Sequence, residues 1–256
     1  MLISIKGEIF KQWGMNMSYI IFCIGIIITV IFISKRKANV PLHIALLKGI
    51  SSIFFVLTVC AGFLQNGFVT KTFGCTMIVA SFMGLLGDIA LDLKYVYPKD
   101  ADRFLGFGFT CFLLGHIGYI LGVASAYKLN YVNLILTVVG MFVSVTAVII
   151  DEKFLEIDFG KFKGISILYG IGLTGFVGLA FSIAIKEPSV NTIMLFAGSF
   201  LFMVSDAFLT TVYFSKVAEK RTKRRTIVLN LSTYYLGQFL IALSLSFYGS
   251  TVISVF

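Results

Sequence analysis

The sequence predicts an all-α, polytopic membrane helix bundle of about eight transmembrane helices, and three observations predict it. The first is composition: of 256 residues, 58% are hydrophobic and 13% charged, with a mean hydropathy of +0.97. A soluble domain carries about 25% charged residues, so this chain cannot cover itself with a water-compatible surface. The second is a series of eight apolar stretches, each near the roughly 20 residues that a helix rising 1.5 Å per residue needs to cross a bilayer. The third is an alternation of charge between those stretches, as the positive-inside rule requires.

The stretches run over 19–34, 42–65, 72–93, 104–126, 130–150, 164–185, 191–214 and 227–248. The first is short, so its helix is expected to begin about a turn earlier. It ends in Lys35-Arg36-Lys37 without a small-residue cleavage site, and reads as a retained helix rather than a signal peptide. Phe is abundant (27) and Pro rare (3), which suits long apolar helices. No polar stretch is long enough for a soluble domain, so residues 1–256 form a single membrane domain.

The connections after stretches one, three, five and seven hold Lys35, Arg36, Lys37, Lys94, Lys99, Arg103, Lys153, Lys161, Lys163, Lys216, Lys220, Arg221, Lys223, Arg224 and Arg225. The other side holds only Lys6, Lys11, Lys71, Lys128 and Lys186, and Lys48 lies within the second stretch. This distribution predicts cytoplasmic odd loops and both termini outside. It accounts for the net charge of +9 through topology, so the charge is no evidence for nucleic-acid binding. Cys23, Cys60, Cys75 and Cys111 sit in apolar stretches without metal-ligand spacing; no metal or cofactor is expected. The Ile-, Phe- and Lys-rich usage suggests a bacterial cell membrane.

Two segments align around an aspartate: "SFMGLLGDIAL" (81–91) with "SFLFMVSDAFL" (199–209). The stretches that follow them both place Leu-Gly before a polar residue, His116 and Gln238. This suggests two four-helix parallel repeats related by an axis along the membrane normal.

Function is sought in the polar groups inside the stretches, because a charge at that depth costs about 2.5–3.5 kcal/mol on insertion scales and faces a bundle interior or a wet cavity. They are Lys48, Asp88, Asp92, His116 and Asp206, with Tyr119, Tyr213, Tyr234, Tyr235 and Gln238 as neutral company. Counted at 1.5 Å per residue from the nearest basic loop, Asp88 lies roughly 9 Å deep, Tyr234 roughly 14 Å, Asp206 roughly 15 Å, and His116 and Gln238 roughly 20 Å. Asp88, Asp206, His116, Tyr234 and Gln238 are therefore expected to line one pocket. Tyr119 shares the face of His116, and Tyr234 that of Gln238. Asp92, a turn beyond Asp88, either joins the site or reaches the interface. Lys48 either snorkels to the headgroups or binds a substrate phosphate. His116 is either catalytic or a hydrogen-bonded packing residue.

These residues carry a family resemblance. "LLKGI" around Lys48, "GLLGDIALDL", "FLGFGFTCFLLGHIGYI", "GSFLFMVSDAFL" and "YYLGQFLIALSL" resemble the YhhN-type membrane proteins, whose best known members are lysoplasmalogenases. The family's Pro soon after the Lys is replaced by Gly49 and Ile50. The resemblance implies hydrolysis of the vinyl ether bond of a lysophospholipid, the lysoplasmalogen, to a fatty aldehyde and a glycerophospho-base. The residues suit such chemistry: protonating the β-carbon gives an oxocarbenium ion, and a carboxyl pair serves comparable transition states in glycoside hydrolysis. Asp88, Asp206 and His116 are then the catalytic candidates, and Lys48, Asp92, Tyr119, Tyr234 and Gln238 the substrate-binding ones. Competing readings are a proton-coupled transporter, with the aspartates as relays, an intramembrane aspartyl protease and a non-catalytic scaffold.

Overall fold

The helices that the hydropathy marks are all present, and most run further than the apolar stretches. The computed structural model describes residues 2–67 and 69–249, with side chains from Met17 onward. In chain order the helices are α1 (Leu2–Lys35), α2 (Leu42–Gln65), α3 (Lys71–Val96), α4 (Ala101–Ala126), α5 (Tyr131–Phe154), α6 (Lys163–Lys186), α7 (Val190–Phe214), a short α8 (Ala218–Thr222) and α9 (Arg224–Ser244). Eight of them, counting α1 from Met17, are long and apolar enough to cross a membrane. The chain is thus an all-α integral membrane bundle, and among the described residues the only β pairing is a single bridge, Ile157 to Ser215.

The helix ends differ from the sequence reading for a physical reason. Hydropathy marks only the part of a helix that lies in hydrocarbon, whereas backbone hydrogen bonding continues into the polar interface. Hence α3 runs past Lys94 to Val96, α5 carries Asp151, Glu152 and Lys153, and α1 starts at Leu2 instead of one turn before residue 19. The loop after α7 contains α8, and α9 gives way to a 3-10 turn at Leu245–Phe247. Helix starts are capped where lipid offers no acceptor: Thr70 takes the Phe73 N–H, and Asn130 and Ser189 form capping boxes with Asn133 and Thr192.

Six helices close into a ring in the order α2, α3, α4, α6, α7, α9 and back to α2. The other two long helices lie outside it, α1 against α2 and α9, α5 against α6. Burial follows: within the apolar 18-residue stretch of each span, 67% of the residues in α6 and 61% of those in α9 are buried, against 22% in α1 and α5. The ring interior is packed with Phe55, Phe73, Phe176, Phe202 and Phe239, all fully buried. The outer faces present Leu64, Leu134 and Phe142, each at least 67% exposed, as a lipid-facing surface should.

Close helix approach depends on glycine at two crossings. A Cβ on Gly198 of α7 would stand 2.7 Å from the Gly237 carbonyl of α9, and one on Gly237 2.6 Å from that of Gly198. Between α5 and α6, a Cβ on Gly140 would stand 2.3 Å from the Thr174 carbonyl and one on Gly178 2.3 Å from the Leu136 carbonyl. Small residues at a crossing let the backbones touch, which is the main source of helix association in lipid.

At the end of the bundle that carries the basic loops, the α5–α6 loop is tied to the end of α7. Asp158 N donates to Phe214 O at 2.8 Å, Lys216 N donates to Glu156 O at 2.7 Å, and Lys220 pairs with Glu156 at 2.8 Å. Lys220 holds the exposed Glu156 carboxyl below the usual range.

Candidate active site

Every helix of the ring sends polar side chains inward, and they meet in its basic-end half. In α3, Asp88 and Asp92 are one turn apart and share a face. Both are almost wholly buried, and both are paired. Lys48 of α2 places its Nζ 3.1 Å from Asp88 Oδ1 and 3.6 Å from Asp92 Oδ1. Arg36, just beyond α1, grips Asp92 with two terminal nitrogens at 2.7 and 3.0 Å. Burial opposes the Arg36 charge, but the adjoining Asp92 carboxylate prevails and holds the guanidinium more firmly protonated than usual. The second oxygen of Asp88 accepts from Ser52 Oγ and from Tyr234 Oη, each at 2.6 Å. Asp88 therefore has a cation and two hydroxyl donors around it.

The Tyr234 hydroxyl also accepts from Gln238 Nε2 at 3.4 Å, and the Gln238 oxygen accepts from Tyr119 Oη at 3.1 Å. Tyr235 closes the group on the α2 side, with its hydroxyl 3.0 Å from Ser52 Oγ and donating to Lys48 O at 3.2 Å. Asp206 of α7 has a different environment: Tyr169 of α6 donates a hydrogen bond to its Oδ2, and no described cation lies within ion-pair distance.

Asp88 and Asp206 line one cavity of about 20 Å³, together with Lys48, Tyr169 and Tyr234. That is the space of a single water molecule. Two larger spaces adjoin it. On the Asp206 side a chamber of about 200 Å³ is walled by Phe109, Val148, Leu173, Met203 and Tyr169. Through Val143, Thr174 and Met203 it meets an apolar cleft of about 330 Å³ between α5, α6 and α7. On the Lys48 side a vestibule of about 300 Å³ opens among the basic loops. The vestibule and the aspartate cavity share Lys48, Leu209, Asn230 and Leu231 as a common wall.

Of the residues singled out from the sequence, Asp88, Asp206, Lys48 and Tyr234 face the cavity, and Gln238 and Tyr119 stand in line behind Tyr234. His116 is not in its wall. It is buried among Phe202, Tyr169, Phe176 and Tyr119, with ring centroids 4.9 to 6.5 Å away, and neither ring nitrogen has a partner among the described residues. Asp92 does not reach the interface, since it is 0% exposed and neutralised by Arg36 and Lys48. Lys48 does not snorkel: it is 4% exposed and turned toward the two aspartates. The reason is electrostatic, because a cation near two buried carboxylates is better solvated by them than by distant water.

Ser52, Tyr169 and Arg36 join the site without standing out as site residues in the sequence, where Arg36 reads only as a topology signal. Tyr169 had a signal in the sequence: "LLKGI" around Lys48 and "ILYGI" around Tyr169 both sit seven residues into their helices. Lys48 serves Asp88 on the next helix, and Tyr169 serves Asp206 on the next helix. Likewise, the Gly115 Cβ position meets the Ala80 carbonyl as that of Gly237 meets the Gly198 carbonyl.

No curated protein and no solved structure matches the chain. A family model does, over residues 43–245, a range that takes in the ring of six helices and every site residue above except Arg36: the chain belongs to the YhhN family.

Proposed function

We propose that this protein is an intramembrane hydrolase that cleaves the vinyl ether bond of lysoplasmalogen, releasing a fatty aldehyde and a glycerophospho-base. The observation that carries the reading is the water-sized cavity between two carboxylates drawn from different helices and set in unlike environments. Family membership agrees with it, and so do the adjoining spaces. A single hydrocarbon chain fits the chamber and apolar cleft beyond Asp206, while the glycerol end points to the vestibule.

The environments divide the labour. Asp88, beside Lys48, is the carboxylate. A buried charge without a counter-ion is costly, so the proton of the pair resides on Asp206, whose described partner is the Tyr169 hydroxyl. Asp206 also faces the chamber that would take the chain. It protonates the β-carbon of the vinyl ether, leaving an oxocarbenium ion that the Asp88 carboxylate stabilises. Water adds to the α-carbon as Asp88 takes its proton, giving a hemiacetal. The hemiacetal hydroxyl returns a proton to Asp206, Asp88 protonates the departing glycerol oxygen, and both groups regain their starting states. His116 is assigned no step, because it is not among the residues that line the cavity.

The test is aldehyde release from lysoplasmalogen by Asp88→Asn and Asp206→Asn, which are nearly isosteric changes. Each should lose about 10²- to 10⁴-fold in kcat, the usual worth of an acid–base group. The double variant should be little worse than the worse single, since the pair acts as a unit. Rate-limiting carbon protonation should also give a solvent deuterium isotope effect. Near-normal release by both folded single variants sinks the mechanism. Release of fatty acid from acyl lysolipids, without aldehyde, replaces it with an esterase.

A further inference from the structure

The vestibule above the aspartate cavity has a wall of one charge. Arg36, Lys37, Lys48, Lys94 and Arg221 line it, and no Asp or Glu does. Two of the five are already neutralised, Arg36 by Asp92 and Lys48 by both aspartates. Lys94 and Arg221 are not: among the described residues neither has a carboxylate within ion-pair distance. Lys94 is half-buried, with its Nζ over the Tyr213 ring at 3.1 Å and near the Tyr95 ring at 4.8 Å. Arg221 is held by its Nε, which donates to Ser215 O at 2.5 Å. Its terminal nitrogens have no acceptor among the described residues and stay free for a ligand. Aromatic faces offset only part of the loss of water around an ammonium group. A pocket of about 300 Å³ walled by converging cations calls for an anion.

We propose that the vestibule binds the phosphate of a lysophospholipid headgroup, with Lys94 and Arg221 as its ligands. The inference rests on the reading above for the kind of lipid and not for the anion. Geometry favours phosphate on a lipid over a free phosphate compound. The vestibule shares the wall of Lys48, Leu209, Asn230 and Leu231 with the aspartate cavity, and beyond that cavity lies the apolar chamber. A lysolipid is a molecule with an anion, a short polar bridge and one chain in that order. Arg suits the ester because its planar fork can take two phosphate oxygens, and Lys supplies a point charge.

The experiment measures binding by the full-length protein in a phosphate-free maltoside detergent, using native mass spectrometry. The probes are lysophosphatidylcholine, the monoacylglycerol of equal chain length, glycerophosphocholine and inorganic phosphate. Wild type should prefer lysophosphatidylcholine to the monoacylglycerol by roughly ten- to a hundredfold, the worth of hydrogen bonds to charged groups. Lys94→Gln and Arg221→Gln should each reduce that preference, and together abolish it, with monoacylglycerol affinity within about twofold of wild type. Lys71→Gln, at the opposite end of the bundle, should retain it. No preference in wild type, which needs no folded variant, overturns the proposal, as does a preference that survives both substitutions. Glycerophosphocholine or inorganic phosphate binding as tightly as the lysolipid overturns its lipid part. Because aldehyde is not read, failure here leaves the hydrolase reading standing. Binding without any aldehyde release from lysoplasmalogen has the reverse effect.

Discussion

Replacing Lys48 by Met tests the electrostatic arrangement at the centre of the site. Lys48 is 4% exposed and lies 3.1 Å from Asp88 and 3.6 Å from Asp92. Removing one member of a buried pair typically costs about 3–5 kcal/mol, because the other charge is stranded. Here the damage is uneven. Arg36 keeps its two bonds to Asp92 at 2.7 and 3.0 Å, and Ser52 and Tyr234 still donate to Asp88 at 2.6 Å. The loss therefore falls on Asp88 and should sit near the lower end, at about 3 kcal/mol. Neutralising the stranded partner should relieve it, so that Lys48→Met/Asp88→Asn recovers about 2 kcal/mol, within the usual coupling range of contacting residues. Unfolding in mixed micelles, followed by circular dichroism across the four members of the cycle, gives the coupling directly. In turnover, Lys48→Met should lower kcat with little change in KM, since Lys48 acts on the carboxylate. A Lys48→Met protein as stable as wild type, or a double variant no better than the single, would refute the reasoning.

Further consequences can be checked separately. Tyr169→Phe removes the hydroxyl that donates to Asp206 but keeps the ring against Phe109 and Phe112, so kcat should fall by roughly tenfold or more with the fold intact; kinetics beside a melting curve would show it. Gly198→Val puts a Cβ 2.7 Å from the Gly237 carbonyl and should cost at least about 1–3 kcal/mol in the same micelle unfolding assay, whereas Gly164→Ala, with nothing within 4 Å, should be neutral. From the charge distribution, a reporter fused after Phe256 should behave as extracytoplasmic; cytoplasmic activity there would reverse the assigned orientation.

What could be read in the sequence was whatever hydropathy, charge and helical spacing encode locally. Eight spans, the candidates Asp88 and Asp206, and the shared face of Tyr234 and Gln238 follow from those alone. So did the family resemblance, since an ordered set of short motifs survives without any knowledge of how the helices close. The internal repeat is a proposal supported by the matching positions of Lys48 and Tyr169 and of Gly115 and Gly237. Partnership was not legible. Arg36 follows α1 and Asp92 lies in α3, 56 positions apart, and nothing local distinguishes an arginine that marks topology from one that folds back onto a carboxylate. The same limit hid Ser52, which is unremarkable on its own helix, and Tyr169, whose match to Lys48 shows only when the two halves of the chain are compared, and it leaves His116 looking like a cavity residue when its ring is enclosed by aromatics. The order of the ring, with α1 and α5 outside and α4 against α6, is set by which small residues let backbones touch and which large ones fill the gaps. That is a property of pairs of surfaces, so the tertiary structure alone decided that Asp88 meets a lysine and Asp206 a tyrosine across one water-sized space.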